Sequence, residues 1–103
     1  MVKNKTKEIL FYVDEVNTLY LHKNVILTVK DPNAFFIWAW IVSMSVKCPK
    51  IYDQNLIDHF SFSKKRVKKH LLVLIEYGLI EDIEWKKGKE PHLINLIRES
   101  DKF

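Results

Sequence analysis

The chain has 103 residues, 48% of them apolar and 29% charged, a composition that suits one folded globular domain with a modest core rather than a disordered chain. Seventeen Lys and Arg against thirteen Asp and Glu leave a net charge of +4, a mild excess that leans towards an anionic partner. The single cysteine, Cys48, excludes an internal disulfide and a CxxC zinc site, and reads as a buried thiol in a reducing, cytoplasmic compartment.

Residues 1–30 form an N-terminal extension ahead of a domain spanning 31–103. Lys3, Lys5 and Lys7 make a basic cluster, either a disordered terminus or an arm that tracks phosphates. Ile9, Val13, Val16 and Tyr20 match a helical stripe, while LFYV, TLYL and NVILTV carry strand formers. The balance favours a short helix or strand over Ile9–Val16, then a hairpin of Thr18–Leu21 with Val25–Val29 around His22, Lys23 and Asn24. Leu10, Phe11, Tyr12, Leu19 and Tyr20 need a surface to pack on, and the outer side of the next helix, with Phe36 and Trp40, offers one.

That helix has a clear start, with Asp31 at the N-cap and Pro32 in the first turn, and runs to about Val46. Its stretch AFFIWAWIV, Ala34 to Val42, is far short of the roughly 20 residues that span a bilayer. It also lies mid-chain, so it is not a secretory signal. It reads as a long apolar core helix with Phe35, Trp38, Ile41 and Val42 inward, and with Phe36, Trp40 and Met44 needing a second cover. After Pro49, Ile51 and Tyr52 suit a short strand, and Asp53 suits the N-cap of a helix Gln54–Phe60 that buries Leu56, Ile57 and Phe60. Ser61, Phe62 and Ser63 make a tight turn, and Ser63 caps a helix Lys64–Tyr77. Val67, Leu71, Leu74 and Ile75 give that helix its buried stripe, and Gly78 sits where a C′ glycine belongs. Ile80–Trp85 and His92–Ile97 then pair as a hairpin with the basic tip KKGKEP.

Two helices joined by a tight turn and followed by a hairpin make an α+β fold. The run LIDHFSFSKKRVKKHLLVLIEYGLIE, Leu56 to Glu81, resembles the winged helix-turn-helix of bacterial, phage and plasmid DNA-binding proteins. Leu56, Ser63, Val67, Leu71, Leu74, Gly78, Leu79 and Ile80 fall on that family's positions. Ser61 replaces the usual turn glycine, Arg66 stands at a frequent Thr, and Leu72 and Val73 are apolar where the family is polar. The resemblance covers about residues 33–97. The N-terminal extension before an apolar helix is similar to replication-initiator and replisome-organiser modules. The resemblance implies a transcription regulator or replication-initiation module that places helix 64–77 in the major groove and the 80–97 wing on the backbone.

The charge pattern agrees with that expectation. With Val67 at the centre of the buried stripe, Lys65 and Lys69 point away from the core, Arg66 and Lys68 flank them, and Lys64 lies at the helix start. Cations crowded there repel one another and oppose the helix dipole, so stability does not explain them. Against phosphates the same crowding releases counterions, and Arg66 has the fork that fits a guanine edge. Lys86, Lys87 and Lys89 around Gly88 add a cationic loop, which either reaches the backbone or merely protects a strand edge. The candidate contacts to double-stranded DNA are therefore Ser63, Lys64, Lys65, Arg66, Lys68, Lys69, Lys86, Lys87 and Lys89.

Enzyme readings have little to stand on. His22, His59, His70 and His92 show no i, i+4 pair and no carboxylate at a partner's spacing, and two glycines cannot build a phosphate loop. Ser61 and Ser63 are turn and capping residues, and His70 is a packing residue at the border of the buried stripe. No catalytic residue, metal, cofactor or small-molecule ligand is indicated. A protein-binding winged helix and an RNA-binding one remain as alternatives; the cationic helix weighs against the first, and nothing separates DNA from RNA. The surplus apolar residues Phe36, Trp40, Met44, Leu72 and Val73 are covered either by the N-terminal segment or in a homodimer, whose two groove helices would stand roughly 34 Å apart.

Overall fold

Short-range chemistry shapes the first third of the chain. The structure, a computed structural model, describes residues 7–88 and 90–103. It opens with strands β1 (Glu8–Ile9), β2 (Phe11–Val13) and β3 (Leu19–Leu21). β2 and β3 pair antiparallel with Phe11 opposite Leu21. The turn between them is an Asx turn. Asp14 Oδ1 accepts from the backbone N–H of Val16 at 3.0 Å and of Thr18 at 2.8 Å, while Asn17 takes the left-handed conformation. These backbone donors, Thr18 first, hold the Asp14 carboxyl below its ordinary pKa.

The expected pairing of Thr18–Leu21 with Val25–Val29 is not formed, because the second segment is helix α1 (Lys23–Thr28). His22 Nδ1 accepts from Asn24 N–H at 3.1 Å and caps that helix, and the helical turn buries Val25 completely. One cap and one buried side chain outweigh the strand preference of NVILTV.

Helix α2 (Pro32–Met44) starts as expected, with Asp31 Oδ1 accepting from Asn33 and Ala34 N–H at 3.0 and 3.1 Å. It has thirteen residues, an ordinary length rather than a long one, and ends two residues before Val46. Its buried face is Ala34, Ile37, Trp38, Ile41 and Val42; Phe35 is only half-buried. The N-terminal segment covers this face and not the outer one. Leu10 is fully buried, and Phe11 meets Trp38 edge-on at 6.2 Å. Trp40 packs instead on His59 and Phe60, and Phe36 stays 70% exposed. Cys48, expected buried, is half-buried at the end of this region.

Strand β4 (Ile51–Tyr52) leads into helix α3 (Asp53–Phe60), whose N-cap is Tyr52 rather than Asp53. Asn55 Oδ1 accepts from Tyr52 N–H at 2.8 Å and supplies the capping contact. Asp53 is thereby free for a long-range partner, His92. Ser61 follows with φ 57°, the left-handed conformation that glycine adopts without steric cost and other residues at about 1–2 kcal/mol.

Helix α4 (Lys64–Glu76) is capped by Ser63, whose hydroxyl accepts from Arg66 N–H at 3.1 Å. Val67, His70, Leu71 and Leu74 are buried against α2 and α3, with Ile75 half-buried. The helix ends in a Schellman motif. Gly78 N–H donates to Ile75 O and Leu79 N–H to Leu74 O, both at 3.0 Å, with Gly78 at φ 75°.

The expected hairpin Ile80–Trp85 with His92–Ile97 is only partly formed. Its base is joined by a single bridge, Ile80 to Leu96, and by backbone bonds from Glu81 to Asn95 and from Ile97 to Leu79. Residues 81–86 then run without strand structure, and strand β5 (Leu93–Ile94) pairs with β4 instead. Strand β6 (Glu99–Ser100) returns to β1, and Leu10 N–H donates to Arg98 O at 2.8 Å. Both ends of the described chain thus close over one core. The result is an α+β domain of four helices and small antiparallel sheets among the described residues.

Candidate nucleic-acid interface

Burying Val67, His70, Leu71 and Leu74 turns the other side of α4 outward, and there Lys64, Lys65, Arg66, Lys68 and Lys69 are all exposed. Trp85, Lys86 and Lys87, with Glu90 and His92, lie alongside its N-terminal turns. Between them lies a groove of about 320 Å³ lined by Lys64, Lys65, Lys68, Lys86 and Lys87, with Asp53, Trp85, Glu90 and His92. A second, shallower hollow on the same helix is bordered by Ser63, Lys65, Arg66, Lys68 and Lys69, with Asn33, His70 and Leu72. Lys65 and Lys68 belong to both and form the ridge between them. The structure therefore brings the helix cations and two of the three loop cations onto one continuous face. Lys89, the third, and Lys3 and Lys5 of the N-terminal cluster lie outside the described residues, and Lys7 is exposed on another part of the chain beside β1.

The nine candidate residues are not equivalent. Lys64 pairs with Glu90 across the groove, and Lys86 pairs with Glu84 at 2.6 Å. Hydrogen bonding between Lys64 and Glu90 raises the lysine pKa and lowers the glutamate's. Both groups are solvent-exposed, so the pair does little for stability. What it does contribute is present at neutral pH; it is lost as pH falls through the lowered Glu90 pKa or rises through the raised Lys64 pKa. Glu90→Gln is expected to return Lys64 to ordinary lysine titration, read by NMR of the ammonium group, with no measurable change in melting temperature. Lys65, Lys69 and Lys87 have no carboxylate partner among the described residues. Ser63 keeps its hydroxyl in the helix cap.

Two of the cations are held by aromatic rings. The Arg66 guanidinium lies 3.7 Å from the centre of the Phe62 ring, and Phe62 stacks on Phe60 at 5.4 Å. Such stacking fixes the plane of the guanidinium and leaves its N–H edge for an acceptor. Lys68 Nζ lies 5.2 Å from the Trp85 ring, which ties α4 to the loop.

Comparison with protein-family models, curated proteins and solved structures finds no match to this chain. The reading of the face rests on its own geometry.

The groove is propped by a pair that sequence spacing conceals. Asp53 Oδ1 accepts from His92 N–H at 2.9 Å, its Oδ2 lies 2.8 Å from His92 Nδ1, and Asp53 N–H donates to His92 O at 3.0 Å. His92 thus has a carboxylate partner, as do His70 with Asp31 at 3.6 Å and His22 with Glu8 at 3.7 Å, across sequence separations that no local spacing reveals. The pair pins the loop's return strand to the start of α3. Among the groove's lining residues there is no Ser, Thr or Cys for such a dyad to activate. No group of three His, Cys, Asp or Glu that could hold a metal occurs among the described residues. No helix among them is long and apolar enough to cross a membrane. The sequence does carry faint signals for the missed residues: Phe62 stands four before Arg66, and Trp85 immediately precedes the lysines of the tip.

Proposed function

We propose that the chain is a DNA-binding module of the winged helix-turn-helix type, a transcription regulator or replication-initiation module, with α4 entering the major groove and loop 85–90 on the backbone. The observation that carries this reading is the continuous cationic face, in which Lys65, Lys69 and Lys87 are left without carboxylate partners among the described residues, on the solvent side of α4, the helix that follows α3 after a three-residue turn. A merely solvated face gains by pairing its charges, whereas a phosphate-binding face gains by keeping them unpaired. The helix cap at Ser63 adds the positive end of the helix dipole to the same side. An RNA duplex has a deep, narrow major groove that a helix does not enter, so the exposed helix favours DNA between the two. A mobility-shift comparison of duplex DNA, single strands and duplex RNA at two salt concentrations tests the reading; binding that ignores salt would sink it.

Roles within the face separate by mutation. Lys65→Ala and Lys69→Ala are each expected to weaken all DNA sequences alike and to reduce the salt slope by about one. Arg66→Ala is expected to narrow the gap between selected and random DNA by about 1–3 kcal/mol, since its guanidinium is already planar-fixed on Phe62. An equal loss on both kinds of DNA would reassign Arg66 to the backbone.

The second reading, a homodimer, draws on apolar side chains that remain in solvent. Phe36, Leu72 and Leu27 are exposed, and so are the stacked rings of Tyr12 and Tyr20, whose centres are 4.4 Å apart. Sedimentation at micromolar concentration is expected to show self-association, abolished by Phe36→Glu if α2 forms the contact. A concentration-independent species of about 12 kDa would remove the dimer and leave single-site binding.

A further inference from the structure

Helix α3 turns different residues to different neighbours. Asp53 lines the cationic groove, whereas Asn55, Asp58 and His59 line a separate hollow of about 360 Å³ that shares no lining residue with the cationic face. Met44 and Ile51 make part of its apolar lining, and Trp40 supplies an indole on which the His59 imidazole stacks at 4.7 Å and 28°. An apolar hollow open to water gains by taking up a flat ring, and these two rings give it a surface to stack on. Two polar groups at the hollow remain uncommitted, and the bonds made by their other atoms fix what each can do. Asn55 Oδ1 accepts from Tyr52 N–H at 2.8 Å in the helix cap, so the free end of the amide is the donor Nδ2. Asp58 Oδ1 accepts from Gln54 Nε2 at 2.9 Å, which leaves Oδ2 as a free acceptor among the described residues. The two residues are i, i+3 neighbours on one helix, so a donor and an acceptor stand side by side. Lys50 lines the same hollow and has no carboxylate partner among the described residues.

We infer that this hollow binds a free nucleotide, its base stacked on Trp40 and His59, the edge of the base held by Asn55 and Asp58, and its phosphate at Lys50. The ligand class follows from the polar pair. A ring in this place needs a donor for Asp58 beside an acceptor for Asn55. Every nucleobase carries that combination on its pairing edge, as an amino group beside a ring nitrogen in adenine and cytosine, and as a ring N–H beside a carbonyl in guanine, thymine and uracil. In a duplex the partner base occupies that edge, so the site takes an unpaired base. Size and charge favour a single nucleotide over a strand. A hollow of about 360 Å³ sits at the lower end of ligand pockets, and one unpaired lysine at it serves one phosphate. A single strand calls for a cationic track beside a series of rings, and the cationic track of this chain lies on α4 instead. The site stands apart from the proposed DNA face and does not depend on it.

Nitrogen-15 spectra of the whole chain report on the site directly. Titration with each of the nucleoside 5′-monophosphates is expected to move the Trp40 indole and the Asn55 side-chain amide saturably for at least one base, leaving the Trp38 indole in place. Ribose 5-phosphate at the same ionic strength carries the phosphate without the base, and is expected to leave Trp40 unmoved. If no nucleotide moves Trp40 more than ribose 5-phosphate does, the inference is overturned, and this measurement needs no variant. Asn55→Asp separates recognition of the ligand from capping of the helix, because it keeps the oxygen that accepts from Tyr52 N–H and removes only the donor. Its melting temperature is expected to be unchanged while affinity falls about tenfold, for the uncharged nucleoside as well as for the nucleotide. Unchanged affinity would take the donor out of the site and overturn the reading of the base edge. A short single strand that moves Trp40 at a far lower nucleotide concentration than the monomer does would overturn the assignment to a free nucleotide. Asn55→Asp is expected to leave affinity for duplex DNA as it was, and Lys65→Ala to leave the nucleotide shift at Trp40 as it was, so the failure of either reading shows without the other.

Discussion

Raising salt from about 50 to about 200 mM is expected to weaken binding to duplex DNA about 500-fold. The figure follows from which cations remain available. Lys64 and Lys86 spend their charge on Glu90 and Glu84, whereas Lys65, Arg66, Lys68, Lys69 and Lys87 have no carboxylate partner among the described residues. If those residues meet about five phosphates, log K falls against log salt with a slope near −4.5. Had the pairs not formed, the candidate residues would have implied a slope closer to −6. The measurement thus discriminates between a face read from sequence and the one the structure leaves. A slope shallower than about −2 would mean that the face touches few phosphates and that the proposed docking is wrong.

Trp38→Ala is expected to destabilise the domain by about 3–5 kcal/mol, and thermal or urea unfolding would measure it. Trp38 is fully buried at the centre of α2, against Phe11 edge-on and Phe35 at 5.8 Å, so truncation leaves a cavity bordered by both the N-terminal segment and the helix layer. For a domain of this size the loss corresponds to a fall of at least about 12 °C in melting temperature. Trp38→Phe provides the control. The indole Nε1 is buried without an acceptor among the described residues, so Phe gives up some apolar area and also removes an unsatisfied donor. Its net cost is expected to stay below about 1.5 kcal/mol. An equal loss for Phe and Ala would show that the Trp38 N–H finds a partner in the folded protein.

Local chemistry makes much of the chain from Asp31 onward legible in the sequence. Asp31 and Pro32 start α2, Ser63 starts α4 and Gly78 ends it, because each of these features is settled by atoms a few residues apart. The outward cations of α4 follow from the same helical period that buries Val67, Leu71 and Leu74. Short apolar runs are not legible in this way. NVILTV suits a strand by propensity, and a cap at His22 with room in the core for Val25 makes it a helix. The return strand Leu93–Ile94 has two antiparallel partners within reach, and packing chooses Ile51–Tyr52 over Ile83–Trp85. Asp53 and His92 are 39 residues apart, and no sequence period links them; only the closed chain puts carboxylate and imidazole 2.8 Å from one another. The same closure sets Glu90 on Lys64, whereas Phe62 comes under Arg66 from four residues away, and together these contacts decide which of the cations that the sequence supplies are free to act. Sequence alone determined the charge, the starts of α2 and α4, the glycine stop after α4 and the side of α4 that faces water. Tertiary structure decided the groove, because a groove is made by contacts between segments that local energetics cannot place.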